Sequence, residues 1–218
     1  MIGGRMGRGF LTVGVSAYDL ARPDAVPWAQ RARFRIVEGE HIRVHGVVHT
    51  RREYDIRGRK VVAFPDRDEI ASPVLPLHDY WRDACGGVLP VPKQKIDPVA
   101  LPPHLLAHVL LVDVVLDPPD FRYRLIGTEI TQLTGRDSTG KLLSEIPYPP
   151  DVGERIGEIY AAVAHSNEVL YTEDPADWAS RDYVRMATLL LPATSDGNRT
   201  DLIFGAVMKV VRELPDPD

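Results

Sequence analysis

The sequence predicts an α+β fold: one five-stranded antiparallel sheet with helices on one face, preceded by an N-terminal helix and a poorly defined N-terminal extension. Three observations predict it. Two strand signals come before the longest helical pattern and three come after it. The apolar period switches from two to about 3.6 at Gly127, so a strand passes directly into a short helix. The last two strand signals are joined by Thr194-Ser-Asp-Gly-Asn198, in which Asp196-Gly197 is a strong hairpin signal. From residue 109 the order is strand, strand, short helix, short helix, long helix, then three strands. One antiparallel sheet under a helical cover accommodates that order.

Residues 1–72 form the extension, 73–212 the folded unit and 213–218 a solvated tail. In the extension Ile42, Val44, Gly46 and Val48 alternate with His41, Arg43, His45, Val47 and His49, as in a strand with one polar face. Phe34–Val37 and Val61–Phe64 are two more short strand candidates. Three readings stand open for this segment: a small β appendage, a disordered basic arm, or an upstream stretch that adds nothing to the fold. His41, His45 and His49 invite a metal reading. On a strand, however, four residues span about 13 Å, too far for all three to share one ion.

After Pro73, Leu77, Tyr80, Trp81 and Ala84 fall at helical spacing, and Gly86-Gly87 ends the helix. A Pro-rich connector follows. In it Asp97-Pro98 reads as an N-cap and first residue of a short helix carrying Leu101, Leu105 and Leu106. Val109–Leu116 is almost wholly apolar and β-branched, a strand buried on much of both faces. Asp117-Pro-Pro-Asp120 turns the chain into the alternating strand Phe121–Leu125, so the first two strands form an antiparallel hairpin. Ile126, Ile130, Leu133 and Thr134 then make a helix that Gly135 stops. Asp151, with Glu154 three residues on, reads as the capping box of the longest helix, whose apolar face is Val152, Ile156, Ile159, Tyr160 and Val163. The three closing strands are Val169–Thr172, Tyr183–Leu191 and Leu202–Val211.

The net charge of −5 conceals an asymmetry. Residues 1–70 carry 13 Lys+Arg against 9 Asp+Glu, and residues 71–218 carry 13 against 22. An acidic main body argues against nucleic acid as a partner. No apolar run is long enough for a membrane-spanning helix, and the N-terminus lacks the apolar core of a signal peptide. A single cysteine allows no internal disulfide, which fits the cytoplasm. No serine elbow, HExxH or paired-cysteine metal site appears, so the sequence points away from an enzyme.

The order of elements from Val109 resembles that of PAS domains. Local sequence is similar to a bacterial PAS-like subfamily known mainly from alphaproteobacteria. The residues that carry the resemblance are Leu77-His-Asp-Tyr-Trp81, Leu89-Pro90, Asp97-Pro98, Leu105–Val115, and above all Pro119-Asp-Phe-Arg-Tyr-Arg-Leu-Ile-Gly-Thr128 followed by Gly135-Arg-Asp-Ser-Thr-Gly140. It covers residues 75 to about 211. The resemblance implies a sensory or interaction module, commonly homodimeric, that binds a small organic ligand between sheet and helices or engages a signalling partner. No output domain follows residue 211, so the signal is expected to pass through a partner or self-association. An adaptor with a closed core and no ligand is the alternative.

On that plan the expected ligand-facing residues are Tyr123, Arg124, Ile130, Leu133, Tyr160, His165, Met186, Phe204 and Met208, with Tyr171 beside them. Arg124 has two roles open: a bidentate partner for a ligand carboxylate, or a salt bridge to Glu129 or Asp113. Leu77, Tyr80 and Trp81 are the expected dimer or partner interface. Cofactors are constrained but not named. Cysteinyl-flavin photochemistry needs a cysteine just after the Gly-Arg turn, and Gly135–Gly140 has none; Cys85 lies before the core. Haem needs an axial ligand, for which His165 is the first candidate and His108 the second. A lone histidine ending a helix is equally explained by the helix dipole, so haem is a distant alternative.

Overall fold

The computed structural model describes residues 35–44, 47–97, 100–175 and 184–211. Its strands are β1 (Arg35–Val44), β2 (Val47–Ile56), β3 (Arg59–Ala63), β4 (Val91–Pro92), β5 (Val109–Leu116), β6 (Pro119–Ile126), β7 (Leu170–Pro175), β8 (Val184–Thr194) and β9 (Leu202–Val211). The helices are α1 (Leu75–Asp83), α2 (Pro103–Leu106), α3 (Thr128–Thr134) and α4 (Pro150–Ser166). One sheet runs β1-β2-β3-β7-β8-β9-β5-β6, with the two-residue β4 alongside β8 in parallel. The five expected strands are contiguous in it, as β7-β8-β9-β5-β6. The expectation of five strands is nonetheless too small: eight follow one another across the sheet.

The three additional strands come from residues 35–63. What reads as one strand from Ile42 to His49 is the meeting of two, since β1 ends at Val44 and β2 begins opposite it at Val47. His41 and His49 therefore stand on paired strands, and His45 lies outside the described residues. The β2–β3 turn is built from Arg57 and Gly58, both at positive φ (55° and 74°), and Asp55 Oδ1 accepts the Gly58 N–H at 2.7 Å. Two positive φ values match the right-handed strand twist, which is why such turns join tight hairpins. Arginine is a rare occupant there, so the hairpin gives little sequence signal.

Residues 54–63 join the main core. Val61 and Ala63 are fully buried, and β3 pairs with β7 through Val62–Tyr171 and Ala63–Leu170. Arg52 and Tyr54 both bond to Glu168, which is 4% exposed. Arg51 Nε donates to Glu69 at 3.1 Å. A boundary at residue 72/73 therefore crosses one core rather than separating two.

Strand alternation gives the sheet two different faces. Leu110, Thr188, Leu190, Gly205 and Val207 point to one side, beneath α3 and α4. Tyr171, Leu189, Leu191, Phe204 and Ala206 point to the other, beneath the turn Ser72–Val74 and α1. The rings of Tyr80 and Phe204 meet edge to face at 6.3 Å, and the Ala71 N–H donates to the Tyr171 hydroxyl at 2.9 Å. Helices α3 and α4 thus cover one face, and the preceding helix α1 lies on the other. Leu77, Tyr80 and Trp81 are buried inside this layer, Trp81 to 1% exposure. His78 meets Trp81 at 5.4 Å between ring centroids, and His49 stacks on Phe64 at 4.3 Å. The three residues expected at an interface therefore have their apolar surface consumed by the chain's own core.

Gly127 and Gly205 are required by close approach. A Cβ at Gly127 would stand 2.2 Å from the Ala107 carbonyl oxygen, because the β6–α3 junction docks on the backbone ahead of β5. There the Gly127 N–H donates to Val109 O at 2.8 Å and the Glu129 N–H to Ala107 O at 2.9 Å. A Cβ at Gly205 would meet Leu190 Cδ2 at 2.6 Å. The start of α4 differs from the capping box read from sequence. Pro149 is the N-cap, Asp151 lies in the first turn, and Glu154 pairs with Arg57 instead of reaching back to the backbone. Asn167, at φ 55°, ends the helix with its N–H on Val163 O.

Candidate functional site

A cavity of about 630 Å³ lies between the first face of the sheet, α3 and the N-terminal half of α4. Its floor crosses the sheet from Thr172 on β7 through Met186, Thr188 and Leu190 on β8, Val207 on β9 and Leu110 on β5 to Tyr123 on β6. Four strand spacings separate β7 from β6, so the floor is about 19 Å wide. Ile130 and Leu133 of α3 and Val152, Ile156, Ile159 and Tyr160 of α4 form the opposite wall. The lining on α4 ends at Tyr160. Beyond it Val163, the next residue on the same face of the helix, is fully buried.

The centre of the cavity is apolar and its two ends are polar. At the β6 end the Tyr123 and Tyr160 hydroxyls are 3.2 Å apart, and Tyr148 interacts with Tyr123 through its hydroxyl. Burial first, then the neighbouring phenols Tyr160 and Tyr148, push the Tyr123 pKa well above its ordinary value; burial likewise raises Tyr160. These phenols stay protonated and act as hydrogen-bonding groups. Arg136 lies over the Tyr148 ring, 5.4 Å from its centroid, and donates to Pro147 O at 3.3 Å.

At the β7 end stand Arg57, Arg59, Arg155, Thr172 and Asp174. Arg155 donates to Ile56 O at 2.8 Å and to Thr172 Oγ1 at 3.3 Å, and forms an ion pair with Asp174. Burial is the largest influence on Arg155 and lowers its pKa. Asp174 opposes that, while the charge of Arg59 works in the same direction as burial. Arg57 Nε donates to Glu158 Oε1 at 3.0 Å, and Arg57 also pairs with Glu154. Glu158 is 4% exposed and, like Glu154, stands outside the cavity lining.

A family model described as PAS domain matches residues 69–208. The chain belongs to the PAS domain family. Comparisons with curated proteins and with solved structures return no match. The match covers β4–β8, most of β9 and helices α1–α4, and leaves β1–β3 outside it. No helix among the described residues is long and apolar enough to cross a membrane.

Within the PAS domain the structure brings Tyr123, Ile130, Leu133, Tyr160 and Met186 together in the cavity. The other four expected residues lie elsewhere. Arg124 points to the opposite face, where its Nη2 pairs with Asp113 Oδ1 at 2.6 Å. Strand alternation sets that direction, opposite to Tyr123. Phe204 packs on Tyr80 beneath α1, and Met208 alternates away from Val207. His165 is exposed in the last turn of α4, outside the cavity, and so is not placed as an axial ligand; nor does His108 line the cavity. Tyr171 faces Ala71, not the cavity.

Sequence reasoning missed the charged end of the cavity. Arg57 and Arg59 were hidden by the open reading of residues 1–72. Arg155 falls one residue before Ile156 on the apolar face of α4, so a buried arginine beside that face was the available signal. Among the described residues, no three His, Cys, Asp or Glu side chains gather as a metal site.

Proposed function

We infer that this PAS domain is a sensory module that binds a small organic molecule between its sheet and helices α3 and α4. The observation that carries this reading is the 630 Å³ cavity, whose apolar centre lies between polar groups at both ends. Ligand sites are commonly of that size, largely apolar, with a few convergent polar groups that set orientation. PAS domains are typically sensory or interaction modules rather than enzymes, and the protonated tyrosines and paired carboxylates here suit recognition. A closed-core adaptor would fill this space with side chains. The lining residues leave it open instead, which favours ligand sensing over that alternative. In this reading the bound molecule alters the seating of α4, and the change is passed to a partner protein or a second copy of the chain.

Native mass spectrometry of the purified protein tests this directly. The expected result is a small-molecule adduct, or a ligand found by screening an organic library, that is lost in the Ile159→Trp variant while the fold is retained. A protein that takes up no library member, with a wild-type thermal transition unaffected by any of them, would contradict it.

A further inference from the structure

The two polar ends of the cavity differ in what they have left to offer. At the β7 end charge is met by charge: Arg57 pairs with Glu154 and Glu158, and Arg155 with Asp174. At the β6 end hydroxyls gather instead. Tyr123 stands on the floor and Tyr160 on α4, and their hydroxyls meet at 3.2 Å, so the pair spans the gap between sheet and helix. The two residues are 4% and 6% exposed. One hydrogen bond between them uses one of their two protons. Tyr148 adds a third proton and one further contact, to Tyr123. At least one O–H is therefore left over, and no other acceptor among the described residues takes it. A buried donor left without an acceptor costs more than an unused lone pair, so this end calls for an acceptor. Arg136, the charged residue beside it, is half-buried and already engaged by the Tyr148 ring and Pro147 O. The phenols themselves carry no charge, and a buried anion needs a charged partner, so a neutral acceptor suits them.

We propose that the cavity selects a neutral carbonyl compound, such as a ketone, ester or lactone, whose oxygen accepts the spare O–H of the Tyr123, Tyr148 and Tyr160 cluster and whose apolar body lies between Leu190 and Val207 on the sheet and Ile156 on α4. This rests on the cavity being a ligand site. The Tyr123–Tyr160 bond ties β6 to α4, so an oxygen that enters this cluster acts on floor and wall together. Occupancy of the β6 end is thereby coupled to the seating of α4.

The test is isothermal titration of the full chain at pH 7.5 with three probes of equal chain length: decan-2-one, decanoate and decylamine. Decan-2-one should bind about tenfold or more tighter than either ion, because burying a charge costs far more than burying a ketone. Infrared spectroscopy of the bound ketone, ¹³C-labelled at its carbonyl, reads the hydrogen bond itself. The carbonyl stretch should lie below its position in hexane. A Tyr123→Phe, Tyr148→Phe, Tyr160→Phe triple variant keeps the rings and removes every O–H of the cluster. It should weaken decan-2-one about fivefold and return the stretch towards the hexane position. A thermal transition matching wild type shows that the variant has kept its fold; if it has not, the stretch of the ketone bound to wild type still decides, since it needs no variant. A stretch at the hexane position, or one that stays low with unchanged affinity in the triple variant, would overturn the tyrosine assignment. Equal or tighter binding of decanoate or decylamine would overturn the neutral-ligand assignment and leave the cavity reading standing. Failure of all three probes would also overturn the proposal, while the cavity reading would still be judged by the library experiment.

Discussion

The two faces of the sheet are made by alternate residues of the same strands, yet they are finished differently. Under α1 the space is filled: Trp81, Tyr80, Leu77, Phe204, Leu189 and Leu191 are all buried in one layer. Under α3 and the first half of α4 a cavity remains. The difference lies in the covers more than in the sheet. α1 brings large aromatic side chains down onto the strands. α4 leaves space beneath Ile156, Ile159 and Tyr160, whereas Val163, further along the same face, is fully buried. One face is packed solid, and the other keeps a cavity of about 630 Å³.

The largest expected effect is on the filled face. Trp81→Ala should cost about 3–5 kcal/mol, since it removes a fully buried aromatic from a close-packed layer. Ile156→Ala, at the cavity wall, should cost about 1 kcal/mol or less because no full shell of neighbours is lost. Chemical denaturation of both variants measures the contrast, and equal losses would erase the distinction between the faces. Gly205→Ala probes a close approach on the cavity face. Its new methyl would press on Leu190 and the Leu189 carbonyl, costing about 1–3 kcal/mol, readable from the same denaturation curves.

Glu168→Gln should have a similar or smaller effect, about 1–2 kcal/mol. It weakens the bonds from Arg52 and Tyr54 that fasten β2 near the end of α4. Hydrogen exchange should quicken in β2 and β3 and stay unchanged in β5 and β6. Uniform quickening would mean that the hairpin and the rest of the sheet unfold as one unit.

The smallest effect is a pH dependence of the filled face. Burial lowers the pKa values of His49 and His78 below the ordinary 6.5. Asp79 partly opposes the shift at His78, while Arg82 and Arg67 reinforce it. Because the folded values are depressed, both states are neutral above 6.5 and stability is full there. As the pH falls below 6.5 the unfolded chain takes up protons first, so stability is lost on acidification. Denaturation between pH 7.5 and pH 5 should show this loss, and a His49→Asn, His78→Asn double variant should lack it. Carboxylates held low by arginine, such as Glu69 beside Arg51, act only at lower pH.

Much of this architecture is legible in the sequence. The alternation of Phe121 and Tyr123, the change of period at Gly127 and the Asp196-Gly197 turn mark β6, α3 and the β8–β9 hairpin where they occur. Other features depend on register, which residue patterns alone do not set. Met186 and Met208 look alike in sequence, but Met208 pairs with Ala187 and so falls on the opposite face from Met186. A bulge likewise turns Leu125, which alternation alone would place on the face of Tyr123, out to 40% exposure. Arg57 was beyond reach for a different reason: a positive-φ arginine does not announce a turn, and its glutamate partners lie about a hundred residues away on α4.

That separation of Met186 from Met208 makes the central claim directly measurable. With ¹³C-methyl-labelled methionine, both side chains report by NMR, one from the cavity and one from the filled face. On titration with decan-2-one, the account predicts a saturable shift of the Met186 methyl signal and no change at Met208. A shift confined to Met208, or no response at Met186 from any ligand that binds, would contradict it.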